Sequence, residues 1–254
     1  PDMACTDCHA GDDHRVVGRG VDLAATDSPD QPLDCTGSCH QQEPHEIAAL
    51  DRHTAKVDCT VCHVPTFARE EATDMRRDWS NPIHLEEANK YRADITLEQN
   101  VEPVYAWFNG KSRLQVPGTP VRRNADGAVV MAEPMGERSD PDARLHAFKL
   151  HTGKLPVLTD ERQWLLPIGV EEFFAQGDID HAVREASKTF YGLEEEIDYE
   201  WTEVIRYMGI YHGVVTDKQA LQCLDCHRPD GRMDWQALGY KGDPMDNPKY
   251  ARSK

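Results

Sequence analysis

Apolar positions recur at helical spacing in two successive segments near the end of the chain. In the first, Asp178 is placed to cap a stripe of Ile179, Ala182, Val183, Ala186 and Phe190 that stops at Gly192. In the second, Ile197, Trp201, Val204, Ile205 and Met208 share one face and the segment stops at Gly209. Its acidic start at residues 194–196 suits the positive end of a helix dipole. Both stripes read as structural packing. Residues 44–56 predict another helix, with Pro44 in its first turn, and Asp217 is placed to cap a short one. Residues 101–133 read as strands. Asn109-Gly110 lies between β-prone runs over 104–116 and predicts a hairpin, and a second turn at 124–127 precedes 128–131. The pattern predicts a mainly α and irregular chain with a small β-hairpin region.

Composition changes that picture. Of 254 residues only 39% are apolar, and the mean hydropathy is −0.67. A protein core built from side chains alone would be thin, so large apolar groups from elsewhere are expected to complete it.

The eight cysteines supply the reason. They fall into four motifs that each end in Cys-His: Cys5-Thr-Asp-Cys8-His9, Cys35-Thr-Gly-Ser-Cys39-His40, Cys59-Thr-Val-Cys62-His63 and Cys223-Leu-Asp-Cys226-His227. C-x-x-C-H is the attachment signature of c-type haem, in which two thiols form thioethers and the histidine ligates the iron. Disulfides or zinc sites would use the cysteines but would not explain a histidine after every second one. The second motif has one extra residue; on a helix i and i+4 share a face much as i and i+3 do, so both sulfurs still reach one porphyrin edge. The reading is four c-type haems, with His9, His40, His63 and His227 as proximal ligands and folding dependent on their attachment.

Three motifs crowd into residues 1–70, a haem-dense segment. Residues 71–215 form a cysteine-free insertion packing on the haems, and 216–254 a C-terminal haem segment. Eight histidines remain, and only four are needed to make every haem six-coordinate. His14 and His45 each follow a proximal histidine by the same spacing, and His53 and His212 each precede a motif. These four are the expected distal ligands, reaching across to neighbouring haems. On one helix His45 and His53 would stand about 12 Å apart, so they would serve two irons. His84 and His151 are reserves; His146 and His181 are assigned no ligand role.

Residues 53–69, with Val64-Pro-Thr-Phe-Ala-Arg69 after the third motif, resemble the C-terminal half of the octahaem tetrathionate reductase family of multihaem cytochromes c. So do Asp78-Trp-Ser80, Trp107-Phe-Asn-Gly-Lys111, Phe148-Lys-Leu-His-Thr-Gly-Lys-Leu-Pro156 and Ala220-Leu-Gln-Cys-Leu-Asp-Cys-His227. The resemblance covers residues 40–240. It implies closely packed, mostly bis-histidine haems with the long insertion folded round them, and His53 and His212 match histidines that precede haem motifs in that family. The family's haem with a lysine ligand lies in a portion absent here, so no catalytic residue is carried over.

The formal charge of −17 and pI near 5.0 argue against nucleic-acid or anionic-membrane partners; an acidic surface suits a basic redox partner protein and is also simply a solubility device, with Arg76, Arg77, Arg122 and Arg123 available to offset haem propionates. No run of about 18 apolar residues is present, so no membrane span is expected. Attachment of c-type haem takes place outside the cytoplasm; periplasmic or extracellular placement follows, with an export signal or upstream segment lying before Pro1. Three functions compete. The leading one is a tetrahaem electron carrier. Surplus histidines also permit self-association into an extracellular cytochrome filament. The alternative is a reductase acting on a sulfur or nitrogen oxyanion at one open haem.

Overall fold

The computed structural model describes residues 4–9, 11–12, 15–16, 35–194 and 196–246. In chain order these form α1 (Cys5–Cys8), β1 (Gly11–Asp12), β2 (Arg15–Val16), α2 (Cys35–Ser38), α3 (Ala48–Thr54) and α4 (Cys59–His63). Then come β3 (Thr73–Leu85), β4 (Lys90–Glu98), β5 (Val104–Phe108), β6 (Ser112–Leu114), β7 (Val129–Pro134) and β8 (Arg144–Leu158). The chain continues through α5 (Val170–Gln176), α6 (Ile179–Tyr191), β9 (Tyr199–Gly209) and α7 (Cys223–Cys226).

The expectation of a mainly α chain is overturned. A seven-stranded mixed sheet, in the order β4-β3-β8-β9-β7-β6 with β5 also paired to β8, occupies the middle of the molecule. Its longest pairing is antiparallel, β8 against β9, from Phe148↔Gly209 to Leu158↔Tyr199. The stripe from Trp201 to Met208 is therefore strand, not helix, and Ile197 precedes it. The stripe has helical spacing, but Tyr199, Trp201, Ile205 and Tyr207 also alternate along one strand face, Thr202 and Val204 are β-branched, and β7 and β8 on either side take its backbone hydrogen bonds.

The predicted hairpin is also corrected. Gly110 does turn the chain, at φ +84°, but β5 pairs with β8 and β6 with β7 rather than with each other. The turn at 124–127 is as expected, with the Asn124 carboxamide oxygen accepting from the amides of Asp126 and Ala128. Strands β3 and β4 had no signal in the hydrophobic pattern. β3 is dense in charges that find partners, Arg76 across the sheet to Glu203 at 2.6 Å and Arg77 along the same strand to Asp74 at 2.6 Å, and its Pro82 falls where the β3–β4 register shifts.

Among the helices, α6 matches its prediction. Asp178 accepts from the His181 amide and Gly192 closes the end in the left-handed region, although Phe190 is 73% exposed. α3 begins only at Ala48, so His45 precedes it, and residues after Thr216 make a turn rather than a helix. Among the described residues no helix is long and apolar enough to cross a membrane.

Hydrophobic burial is split into small clusters. One, around Phe173 and Ala182, seats α5 and α6 against Ala93 and Trp79; another holds Val61, Trp107, Leu145, Met233 and Leu238 where α4 and the C-terminal segment meet β5 and β8. The parallel approach of β3 to β8 depends on one glycine: a Cβ at Gly153 would stand 2.6 Å from the Arg77 carbonyl oxygen. Gly153→Val should separate these strands and destabilise by about 1–3 kcal/mol, read as a lowered melting temperature of the holoprotein by circular dichroism; an unchanged melt would contradict the pairing.

Candidate functional site

Each Cys-His motif folds as one helical turn. In the first and fourth, the histidine amide donates to the carbonyl of the first cysteine, His9 to Cys5 at 2.8 Å and His227 to Cys223 at 2.9 Å. The aspartate inside each motif reaches back to the residue before it: the Asp7 carboxylate accepts from the Ala4 amide and that of Asp225 from the Gln222 amide. In the third motif Asp58 does this work from outside, accepting from the amide and hydroxyl of Thr60. The longer second motif absorbs its extra residue without losing the closure, since the Cys35 carbonyl accepts from both Cys39 and His40.

The turns are tied to each other and to the sheet. Val215 donates to His63 and Leu221 to Cys62, which hangs the segment before the fourth motif on the third. The Asp58 amide donates to the Leu145 carbonyl, the Leu145 amide donates to the Lys56 carbonyl, and Ile210 donates to Ala147, so α4 and the end of β9 both rest on β8. Sulfurs of neighbouring motifs consequently lie close. Cys35 hydrogen-bonds to Cys59 and holds its thiol below the usual range, whereas burial, with Cys226 nearby, pushes Cys62 up to about 12. Burial also pushes Cys226 up to about 11. No disulfide joins any two of the cysteines, and no group of three or more His, Cys, Asp or Glu among the described residues converges as a zinc site would require.

Three motif histidines face a second imidazole drawn from elsewhere in the chain. His9 and His212 lie 6.1 Å apart between ring centroids, His45 and His63 6.3 Å, and His53 and His227 6.1 Å. Two bonds of about 2 Å from a central metal to imidazole nitrogen, plus about 1.1 Å from each nitrogen to its ring centre, require a separation close to 6 Å. The rings are near-parallel for His45 and His63, at 22°, and near-perpendicular for His53 and His227, at 78°. In the last two pairs every Nδ1 is already engaged: His45 with the Asp51 carboxylate, His63 with the Val215 carbonyl, His53 with the Ala49 carbonyl and His227 with the Asp243 carboxylate. That leaves Nε2 of each ring for a ligand. Beside His227 the buried Trp235 Nε1 finds no protein acceptor, which fits a site whose remaining polar partner belongs to a cofactor. These residues fit bis-imidazole haem.

Other histidines lie elsewhere. His84 bonds Asn89 and packs on Tyr91. His151 bonds Asp74, in a half-buried cluster on the sheet with Arg77, Lys149 and Arg206. His146 is buried between Phe108 and Phe148, and His181 is exposed at the start of α6. His40 is exposed, and His14 lies outside the described residues. The arginines expected to offset propionates each pair with a carboxylate of the protein: Arg76 with Glu203, Arg77 with Asp74, Arg122 with Glu133 and Arg123 with Glu200. Sequence reasoning missed Asp51, Asp243 and Trp235; nothing local distinguishes them, because each acts through a fold contact.

Four Cys-His turns, three of whose histidines face a second imidazole, fit a protein that carries c-type haem. A model of the family described as bacterial cytochrome c matches residues 70–230, and the chain belongs to that family. An octahaem cytochrome c from Shewanella oneidensis superposes with a TM-score of 0.82 and 29% identity, over 96% of this chain and 59% of that one. The chain thus spans less than two thirds of that protein's length. Among curated proteins no relative matches. Together the family and the fold make this a multihaem cytochrome c.

Burial, acting against the nearby Asp74, holds His151 below its ordinary value of 6.5. The unfolded chain therefore takes up this proton first as pH falls. Stability tied to His151 is present above pH 6.5 and declines below it. His151→Gln should flatten the acid side of the stability profile there, measured by denaturant titration at stepped pH.

Proposed function

We propose that the chain is a tetrahaem c-type cytochrome that passes electrons through a row of mostly bis-histidine haems. The observation that carries this is the set of three opposed imidazole pairs at 6.1–6.3 Å. In this reading Cys5, Cys8, Cys35, Cys39, Cys59, Cys62, Cys223 and Cys226 form the thioethers, and His9, His40, His63 and His227 are proximal ligands. His212 serves opposite His9, His45 opposite His63 and His53 opposite His227, with His14 assigned to the remaining motif. Bound haem supplies one-electron redox chemistry. The chain's own residues would hold the rings, direct Nε2 of the facing imidazoles toward the iron and leave substrate no place on it.

The three-part organisation at 1–70, 71–215 and 216–254, the similarity to the octahaem tetrathionate reductase family over residues 40–240, and periplasmic or extracellular placement belong to the same proposal. The charge of −17 supports docking to a basic redox protein rather than to nucleic acid. A filament, in which a histidine of one copy ligates iron in the next, is the same chemistry in repeated form. A second reading, reduction of a sulfur or nitrogen oxyanion at one open haem, draws on His40, for which no opposed imidazole lies among the described residues.

A pyridine haemochrome assay should return four haems per chain, and ferric EPR should show only low-spin iron. A high-spin signal in the wild type would favour the reductase. Ring orientation separates the signals: parallel imidazoles split the iron orbitals they overlap, and crossed ones leave them nearly degenerate. His53→Gly should thus convert one haem to high spin and remove the most anisotropic low-spin signal. His45→Gly should remove a more rhombic one. Light scattering checks self-association.

A further inference from the structure

Of the acceptors that hold these rings, one stands apart. The Asp243 carboxylate lies 2.7 Å from His227 Nδ1, with only 12% and 14% of the two side chains exposed. The carboxylate on the other pair, Asp51, is 3.2 Å from a His45 side chain that is 29% exposed, and His53 and His63 use backbone carbonyls. Asp243 is itself held, because the same oxygen accepts from the Met245 amide at 2.8 Å. The ring it grips is clamped from the side as well. Trp235 stacks on His227 at 5.2 Å and 22°, Tyr240 braces Trp235 edge-on, and Arg138 covers Tyr240.

A buried carboxylate on the Nδ1–H of a ligating imidazole draws the proton toward itself and makes Nε2 a stronger donor. Stronger donation favours the oxidised metal. We propose that Asp243 is a positioning residue that holds the reduction potential of the His227 site below the value a neutral acceptor would set, while Trp235 keeps the ring crossed against His53. The inference rests on the reading of His227 as an iron ligand. It makes the fourth motif's site the one whose potential the fold controls most tightly.

The experiment is a spectroelectrochemical titration of the holoprotein carrying Asp243→Asn, which keeps an acceptor and removes the charge. One midpoint should rise by about tenfold in its equilibrium constant, about 59 mV for one electron, with the others unmoved and the most anisotropic EPR signal shifted. Asp243→Glu should restore most of the wild-type value, and Asp51→Asn should move its midpoint less. Four low-spin haems with no midpoint displaced in Asp243→Asn would overturn the inference and leave the ligand reading intact. Full low-spin haem content in His227→Gly would instead overturn that reading. Should Asp243→Asn fail to mature, the ferrous wild type decides: a strongly deshielded Nδ1–H proton in its NMR spectrum supports the bond, and its absence overturns it.

Discussion

Two imidazoles that face each other across about 6 Å, each with its Nδ1 already hydrogen-bonded, form an arrangement that neither ring can hold alone. The gap suits a metal held between two ring nitrogens. Two of the pairs also join distant parts of the chain: His9 meets His212, and His53 meets His227. Each of these two pairs therefore brings distant segments face to face. A chain with so modest an apolar content gains from links of this kind, since its buried clusters are small and separate.

The sheet supplies the rigidity that such pairs need. β8 is its spine, carrying β3 and β5 on one side and β9 on the other. Backbone bonds from Asp58 to Leu145, Ile210 to Ala147 and Val215 to His63 place α4, the end of β9 and the approach to α7 on one frame. Imidazole direction follows from backbone position, so errors of an ångström in that frame would open a pair. The insertion without cysteines is thus the part that sets distances.

Charge is arranged with the same economy of position. Asp7, Asp58 and Asp225 close the motif turns, and Asp51 and Asp243 hold rings of the facing pairs. Cations of the sheet are largely paired with carboxylates in place, as Arg76 is with Glu203. The strongly acidic balance of the sequence thus hides a second use of carboxylates, as fixed acceptors beside imidazole and amide donors.

Local features were readable from the amino acids: the four motif turns, the capped helix from Asp178 to Gly192, the Asn124 turn and the histidines that stand near motifs. All of these depend on residues a few positions apart, and short-range sterics and hydrogen bonding decide them. The strand nature of 199–209, the separate partners of β5 and β6, the charged strands β3 and β4, and which histidine faces which were not readable. Those outcomes depend on what lies alongside. A segment whose apolar spacing suits two structures takes the one whose neighbours accept its backbone bonds, and an imidazole meets its opposite only where the sheet brings two distant segments within reach.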